Sequence, residues 1–181
     1  MITIKFPDGS KKEYNKGVTP LEIAQGIAIS LAKKAIAAVF NDEYVELSRA
    51  LNVDGSLSLL TEKDEKSLDV MNHSTAHLMA QAITNLYPKA NFGVGPYIQE
   101  GFYYDVDFFF QKINDEDLLK IEKEMHKLAE QSFEIKREEV TYEQAKEIFK
   151  SDIYKLQIIE DYKDQQLTVY RQGEFVDLCR G

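Results

Sequence analysis

Asn72-His73-Ser74-Thr75-Ala76-His77-Leu78-Met79 is the stretch on which the reading of this chain turns. Its spacing predicts a helix from about Leu68 to Tyr87, stopped by Pro88, which cannot continue one. Met71, Leu78, Met79, Ala82, Ile83 and Leu86 recur at helical spacing, with Thr75 on the same stripe. His73 and His77, four residues apart, share the other side with Ala80 and Thr84. They are therefore expected to project toward solvent or into a cleft rather than to be held in the core. Three readings of that geometry stand side by side. The first is a solvated polar face. The second is a metal site, since His at i and i+4 can both reach one ion, although the Glu of the metalloprotease helix is missing. The third is a pair working by hydrogen bonding and proton transfer, because imidazole titrates near working pH.

Upstream lie short strands and turns. Ile2 to Phe6 alternates as a strand, Pro7-Asp8-Gly9 turns it, and Lys11 to Tyr14 returns. Thr19-Pro20-Leu21-Glu22 is a capping box with Pro at the first helical position, opening a short helix toward Ile27. Ala35 to Phe40 is a third strand, turned by Asn41-Asp42 into Tyr44 to Glu46. Leu57 to Leu60 closes the set after the turn Val53 to Ser56. A hairpin, a helix and further short strands follow the order of a ubiquitin-like β-grasp. This segment carries no His, no Cys and no cluster of catalytic residue types. It reads as an RNA- or protein-docking module, or as a spacer. The charged run Thr61 to Lys66 marks the boundary, giving residues 1–62 and 63–181 as two domains.

Downstream, Asn91-Phe92-Gly93-Val94-Gly95-Pro96 is a constrained loop in which Gly95 could let backbone approach a ligand closely. It lacks the spacing of a phosphate-binding fingerprint. Gly101 to Phe109 alternates as a strand with aromatics on both faces, Tyr104 among them. Asn114 or Asp115 caps a charged amphipathic helix to about Gln131, with His126 at its surface. Phe133 to Val140 is a strand, and Thr141-Tyr142-Glu143-Gln144 a second capping box. Asp152 opens another short helix, Leu167 to Tyr170 is a strand, and the chain finishes Asp177-Leu178-Cys179-Arg180-Gly181. The predicted class is α+β: an N-terminal β-grasp, then a domain with a mixed or antiparallel sheet and the long His helix.

Composition narrows the function classes. The chain has 181 residues and a net charge of −9, which argues against broad non-specific nucleic-acid binding while leaving room for a specific RNA partner. Lys11-Lys12, Lys33-Lys34 and Lys136-Arg137 are the basic pairs available to one. A single Cys excludes an internal disulfide and fits a reducing compartment. No window approaches the ~18 apolar residues of a membrane helix, so no membrane partner is expected.

His73-Ser74-Thr75-Ala76-His77-Leu78, together with Asp177-Leu178-Cys179-Arg180-Gly181, resembles the paired motifs of the editing domain of bacterial-type threonyl-tRNA synthetases. Phe92 to Pro96 and Gly101 to Asp105 are similar to that family as well, and the first sixty residues or so resemble its TGS domain, a β-grasp. The His motif is shared with the alanyl-tRNA editing family; the preceding TGS domain points to the threonyl one. The resemblance covers essentially the whole chain.

What the resemblance implies is hydrolysis of serine wrongly attached to threonine tRNA. A synthetic pocket built for threonine rejects serine poorly, because one methyl is worth only about 1–3 kcal/mol, so a second site must exclude threonine by size. It implies that His73 and His77 hold or activate the water or the terminal ribose, and that Lys155, in its Tyr-Lys context, offers positive charge to the oxyanion or the tRNA end. Asp177 would orient the seryl amine or a histidine, Cys179 would line the pocket, and Tyr104 and Gly95 would contact substrate. The expected partner is the acceptor end of tRNA(Thr), in the cytoplasm. In the family the Cys motif continues to a further His and then to a class II core and an anticodon-binding domain. This chain is thus expected to be an N-terminal fragment without the aminoacylation core that uses ATP, magnesium and zinc. It is expected to be monomeric, its parent dimeric through that core. No metal or other cofactor is expected in the chain itself; if zinc were held, His73, His77 and Cys179 are the candidate ligands. A catalytically silent module gripping the tRNA acceptor arm is the alternative.

Overall fold

In the computed structural model, which describes residues 1–98 and 100–179, the chain divides into two compact units, Met1–Met71 and Asn72–Gly181. The first begins with the hairpin β1 (Ile2–Lys5) and β2 (Lys11–Tyr14), followed by α1 (Pro20–Ile27), α2 (Ile29–Lys34), β3 (Ala35–Phe40), β4 (Glu43–Val45) and β5 (Gly55–Thr61). Its sheet order is β2-β1-β5-β3-β4, with β5 parallel to β1 and the other pairings antiparallel. That is the β-grasp topology. Ile2 and Ile4 of β1 point inward and pack with Ile23 of α1, Ala38, Leu51 and Leu57, so the alternation seen in the sequence becomes one core. Thr19 caps α1 as expected, with Glu22 returning the bond to the Thr19 backbone. Asn41 and Asp42 both take positive φ (50° and 67°), the conformation of a two-residue hairpin loop whose twist matches its strands. Helix α2 was not expected. Ala28 gives it no side-chain cap, and its ends are fixed by backbone bonds instead, so no residue announces it.

The division between the units falls inside α3 (Glu65–Leu86), beyond the charged run that marked the boundary in the sequence. The second unit continues with the short pairs β6 (Asn91–Phe92) with β9 (Val106–Asp107) and β7 (Tyr97–Ile98) with β8 (Gly101–Phe102). Then come α4 (Asp115–Glu130), β10 (Ile135–Val140), α5 (Tyr142–Ile148), α6 (Ile153–Asp161), β11 (Leu167–Gln172) and β12 (Phe175–Leu178). The last two strands and β10 form an antiparallel sheet in the order β10-β11-β12. Its core joins Val140, Ala145, Phe149, Ile159, Leu167 and Val169. A second cluster sets Ala80, Ala82 and Ile83 of α3 against Phe92, Ile121 and Leu128. The whole is α+β.

Two expectations are corrected. The single strand over Gly101 to Phe109 is two short pieces, β8 and β9, with irregular chain over 103–105 between them, where Tyr104 packs against the α3 cluster. The polar side of α3 does not face solvent. Ala76 and Ala80 are fully buried there and His77 is only 7% exposed, while Met71 and Leu86, on the expected core stripe, stand exposed. The reason is β11. Strand alternation puts Thr168, Tyr170 and Gln172 on one face of it, and that face lies on the histidine side of the helix: Gln81 Nε2 donates to the Gln172 carbonyl at 3.2 Å, and the Tyr170 ring meets His77 edge to face.

Candidate active site

Six of the seven expected site residues converge in the second unit, carried by five segments. His73 and His77 come from one side of α3, one helical turn apart. Their Nε2 atoms lie 3.0 Å apart. Cys179, just past β12, brings its Sγ to 2.9 Å from His73 Nε2, so His73 sits between the other two. The Cys179 position is fixed by backbone: its N–H donates to the Thr168 carbonyl, and the Thr168 hydroxyl donates to its carbonyl. Arg180 and Gly181, which complete the Cys motif, lie outside the described residues.

Asp177 on β12 is the hub. Its Oδ1 accepts from Lys155 Nζ at 2.7 Å, its Oδ2 accepts from the Tyr104 hydroxyl, and the same oxygen lies 3.8 Å from His77 Nε2. Lys155 Nζ also donates to the Tyr104 hydroxyl at 3.0 Å, closing a three-membered ring of hydrogen bonds. Lys155 and Asp177 are each 3% exposed. A charge pair so deeply buried stands only because each charge is met by the other and by further donors and acceptors.

Local chemistry explains how the sequence delivers these groups. Lys155 sits in the first turn of α6, which Asp152 caps by accepting from the Tyr154 and Lys155 amides. The other Asp152 oxygen accepts from the Phe92 amide at 2.8 Å, tying the start of α6 to β6. Gly95 is the seventh expected residue. A Cβ there would come 2.5 Å from the Tyr104 ring. Its hydrogen side chain is what lets the 93–96 loop pass across that ring, so its place in the site is to seat Tyr104.

The electrostatics follow from burial. Desolvation lowers the His73 pKa against the pull of Asp177. The same desolvation, with help from neighbouring His73 and Lys155, takes His77 down to about 4 although Asp177 opposes it. Both imidazoles are therefore neutral at pH 7, each with one nitrogen able to accept a proton. Burial works against ionising Asp177, but Lys155, His77 and the bonds from Lys155 and Tyr104 outweigh it and hold the carboxyl below the usual range. Burial and the Asp177 charge push the Tyr104 phenol up, so it stays protonated.

Among the described residues, His73, His77 and Cys179 are the set that could hold a metal ion, their ligand atoms lying within 4.8 Å of one another. As arranged, these donors contact each other at 3.0 and 2.9 Å. Two ligands on a tetrahedral zinc stand roughly 3.3–3.6 Å apart, given bond lengths of about 2.05 Å to nitrogen and 2.3 Å to sulfur. These two contacts are therefore shorter than the separations in a zinc shell. His126, read as a surface residue, is exposed.

Sequence reading missed Tyr170. Its ring centroid lies 5.8 Å from that of His77, at 82°, and 6.4 Å from that of His73, and it pairs across the sheet with Asp177. The alternation Thr168, Tyr170, Gln172 was visible, but which face of the strand meets the helix was not.

Comparison with known proteins adds identity to this geometry. The family model of the TGS domain matches residues 2–61, the β-grasp unit. The whole chain is 61% identical over 181 residues to the threonine–tRNA ligase of Acholeplasma laidlawii (strain PG-8A), covering 100% of this chain and 28% of that protein. It is 51% identical over 183 aligned positions to the threonine–tRNA ligase of Streptococcus pneumoniae (strain Hungary19A-6), with the same coverage. The chain belongs to the threonine–tRNA ligase family. It spans 28% of the length of these relatives and corresponds to their N-terminal part. Among the described residues, no helix is long and apolar enough to cross a membrane.

Proposed function

We propose that the second unit hydrolyses the ester of seryl-tRNA(Thr), as the editing site of a cytoplasmic enzyme whose remaining chain ligates threonine to tRNA(Thr) with ATP. In this reading residues 63–181 form the editing domain and residues 1–62 a docking module for the same RNA. The observation that carries it is the convergence of two neutral imidazoles, a thiol and a buried Lys155–Asp177–Tyr104 ring within one site.

The chemistry is modest, because an aminoacyl ester is already activated. A water attacks the ester carbonyl carbon, the bond to the ribose oxygen breaks, and serine leaves as a carboxylate, its acid proton passing to solvent. His73, neutral and less buried than His77, takes the water proton and returns it to the ribose oxygen. His77, too weak a base at about 4 to take that proton, orients His73 through the 3.0 Å contact. Two of the three Lys155 N–H bonds go to Asp177 and Tyr104; the third is assigned to the developing oxyanion. Cys179 closes the pocket where the extra methyl of threonine would clash, and in a packed wall overpacking is an effective filter. No step calls for a metal.

The test is serine release from seryl-tRNA(Thr) by this chain, with and without a chelator. Release at a rate the chelator leaves unchanged is the expected result. A rate that falls on chelation and returns with zinc would assign His73, His77 and Cys179 to a metal centre. Tight tRNA binding without any release would favour the silent docking module and overturn the hydrolase.

A further inference from the structure

Three consecutive phenylalanines follow β9, and only the first is used by the core. Phe108 packs against the α3 cluster, whereas Phe109 is 55% exposed and Phe110 100% exposed. Adjacent large apolar side chains left in water ask for a partner. Phe109 also holds φ at +58°, a conformation a bulky residue rarely adopts. The turn is pinned: the Phe109 amide donates to Asp107 Oδ1 at 2.7 Å, and Asp107 Oδ2 accepts from the Tyr154 hydroxyl at 3.0 Å. Tyr154 immediately precedes Lys155 on α6. The aromatic turn is thus anchored to the helix that carries the site's ammonium group.

Phe109 lines a cleft of about 430 Å³ that also takes in Phe92, Phe149, Lys155 and Asp177. Of the candidate active site, Lys155 and Asp177 line this cleft, and the carboxylates of Asp152 and Glu174 line it as well. Lys89 lines it and is exposed, and Lys112, two residues past Phe110, is exposed as well.

We propose that Phe109 and Phe110 form a stacking platform for a nucleobase of the single-stranded RNA 3′ end whose ester reaches Lys155 and Asp177. This rests on the editing reading and adds where the RNA strand is gripped. Flat aromatic faces beside exposed cations are what binds single-stranded RNA without reading sequence: rings take bases and ammonium groups take phosphates. The anchoring through Asp107 and Tyr154 sets the stacked base at a fixed place relative to Lys155, and so sets the ester.

The experiment uses the full chain and a single-stranded RNA ending in CCA, with 2-aminopurine replacing one of the last three bases in turn. Stacking quenches its fluorescence, whether or not any ester is hydrolysed, so failure here is distinct from failure of the hydrolase reading. Quenching is expected at one position. The double variant Phe109→Leu/Phe110→Leu keeps the apolar bulk but loses the rings. It is expected to abolish the quenching and weaken RNA binding by about 5- to 150-fold, the loss that one base–aromatic stack represents. Phe110→Tyr keeps both. Hydrolysis of a seryl ester of methyl riboside, which carries no base to stack, should stay within about twofold in the double variant. Absence of quenching in the unmodified chain, or RNA binding unchanged in the double variant, would overturn the proposal. So would equal losses on RNA and on the riboside ester, which would make the turn a support of the site instead.

Discussion

Lys155→Met is expected to remove seryl-tRNA(Thr) hydrolysis by a factor of about 10²–10³, the loss typical of removing one donor to a developing oxyanion. It is also expected to destabilise the second unit by about 3–5 kcal/mol, because Asp177 is left charged and buried without its partner. The two effects have different causes and can be separated. In Lys155→Met/Asp177→Asn the buried charge is gone, and the amide oxygen at position 177 still accepts from Tyr104. More than about half of the lost stability should return, since replacing both members of a buried ion pair is far cheaper than removing one. Hydrolysis should not return. Hydrogen exchange of the β11 amides reads the stability of this unit by itself, and serine release reads the chemistry. If activity recovers together with stability, the ion pair is scaffolding and Lys155 has no part in the reaction.

The second large effect is in pH. In the unfolded chain His77 takes up its proton near pH 6.5, but in the fold only near 4. Between those values the unfolded state binds more protons, so stability falls as pH drops through the window and is fully present above about 6.5. At 1.36 kcal/mol per unit the difference is about 3 kcal/mol. His73, also lowered, adds in the same direction. Asp177, held below the usual carboxylate range, adds a further loss only at lower pH, as the solution falls through its folded pKa. His77→Gln should remove most of the change in stability between pH 6.5 and 4, measured by denaturant unfolding of the second unit at several pH values. A slope unchanged in that variant would mean that His77 titrates as if it were exposed.

Some of this molecule was plain in the sequence, for physical reasons. Turn chemistry is local, so Asn41-Asp42 and the Thr19-Glu22 capping box announced the β-grasp before any packing was known. The spacing of His73 and His77 is local too, and a helix necessarily puts them side by side. What covers them is not local. The helix stripe left solvent or a cleft over the histidines, because nothing in α3 reveals that β11 will lay Thr168, Tyr170 and Gln172 there. Tyr104 was visible as an aromatic in an alternating run. Its turn inward, its protonated hydroxyl between Lys155 and Asp177, and the need for Gly95 beneath its ring all depend on residues brought together from across the chain. Lys155 reads as one more helix lysine until Asp177, on another element, is set against it.

The measurement that bears most directly on the editing site is discrimination. Seryl-tRNA(Thr) and threonyl-tRNA(Thr) would be offered separately to this chain and to His73→Ala, and release of the free amino acid followed. An editing site releases serine, spares threonine, and loses serine release in His73→Ala. Equal release of both amino acids, or serine release that His73→Ala leaves intact, would contradict it.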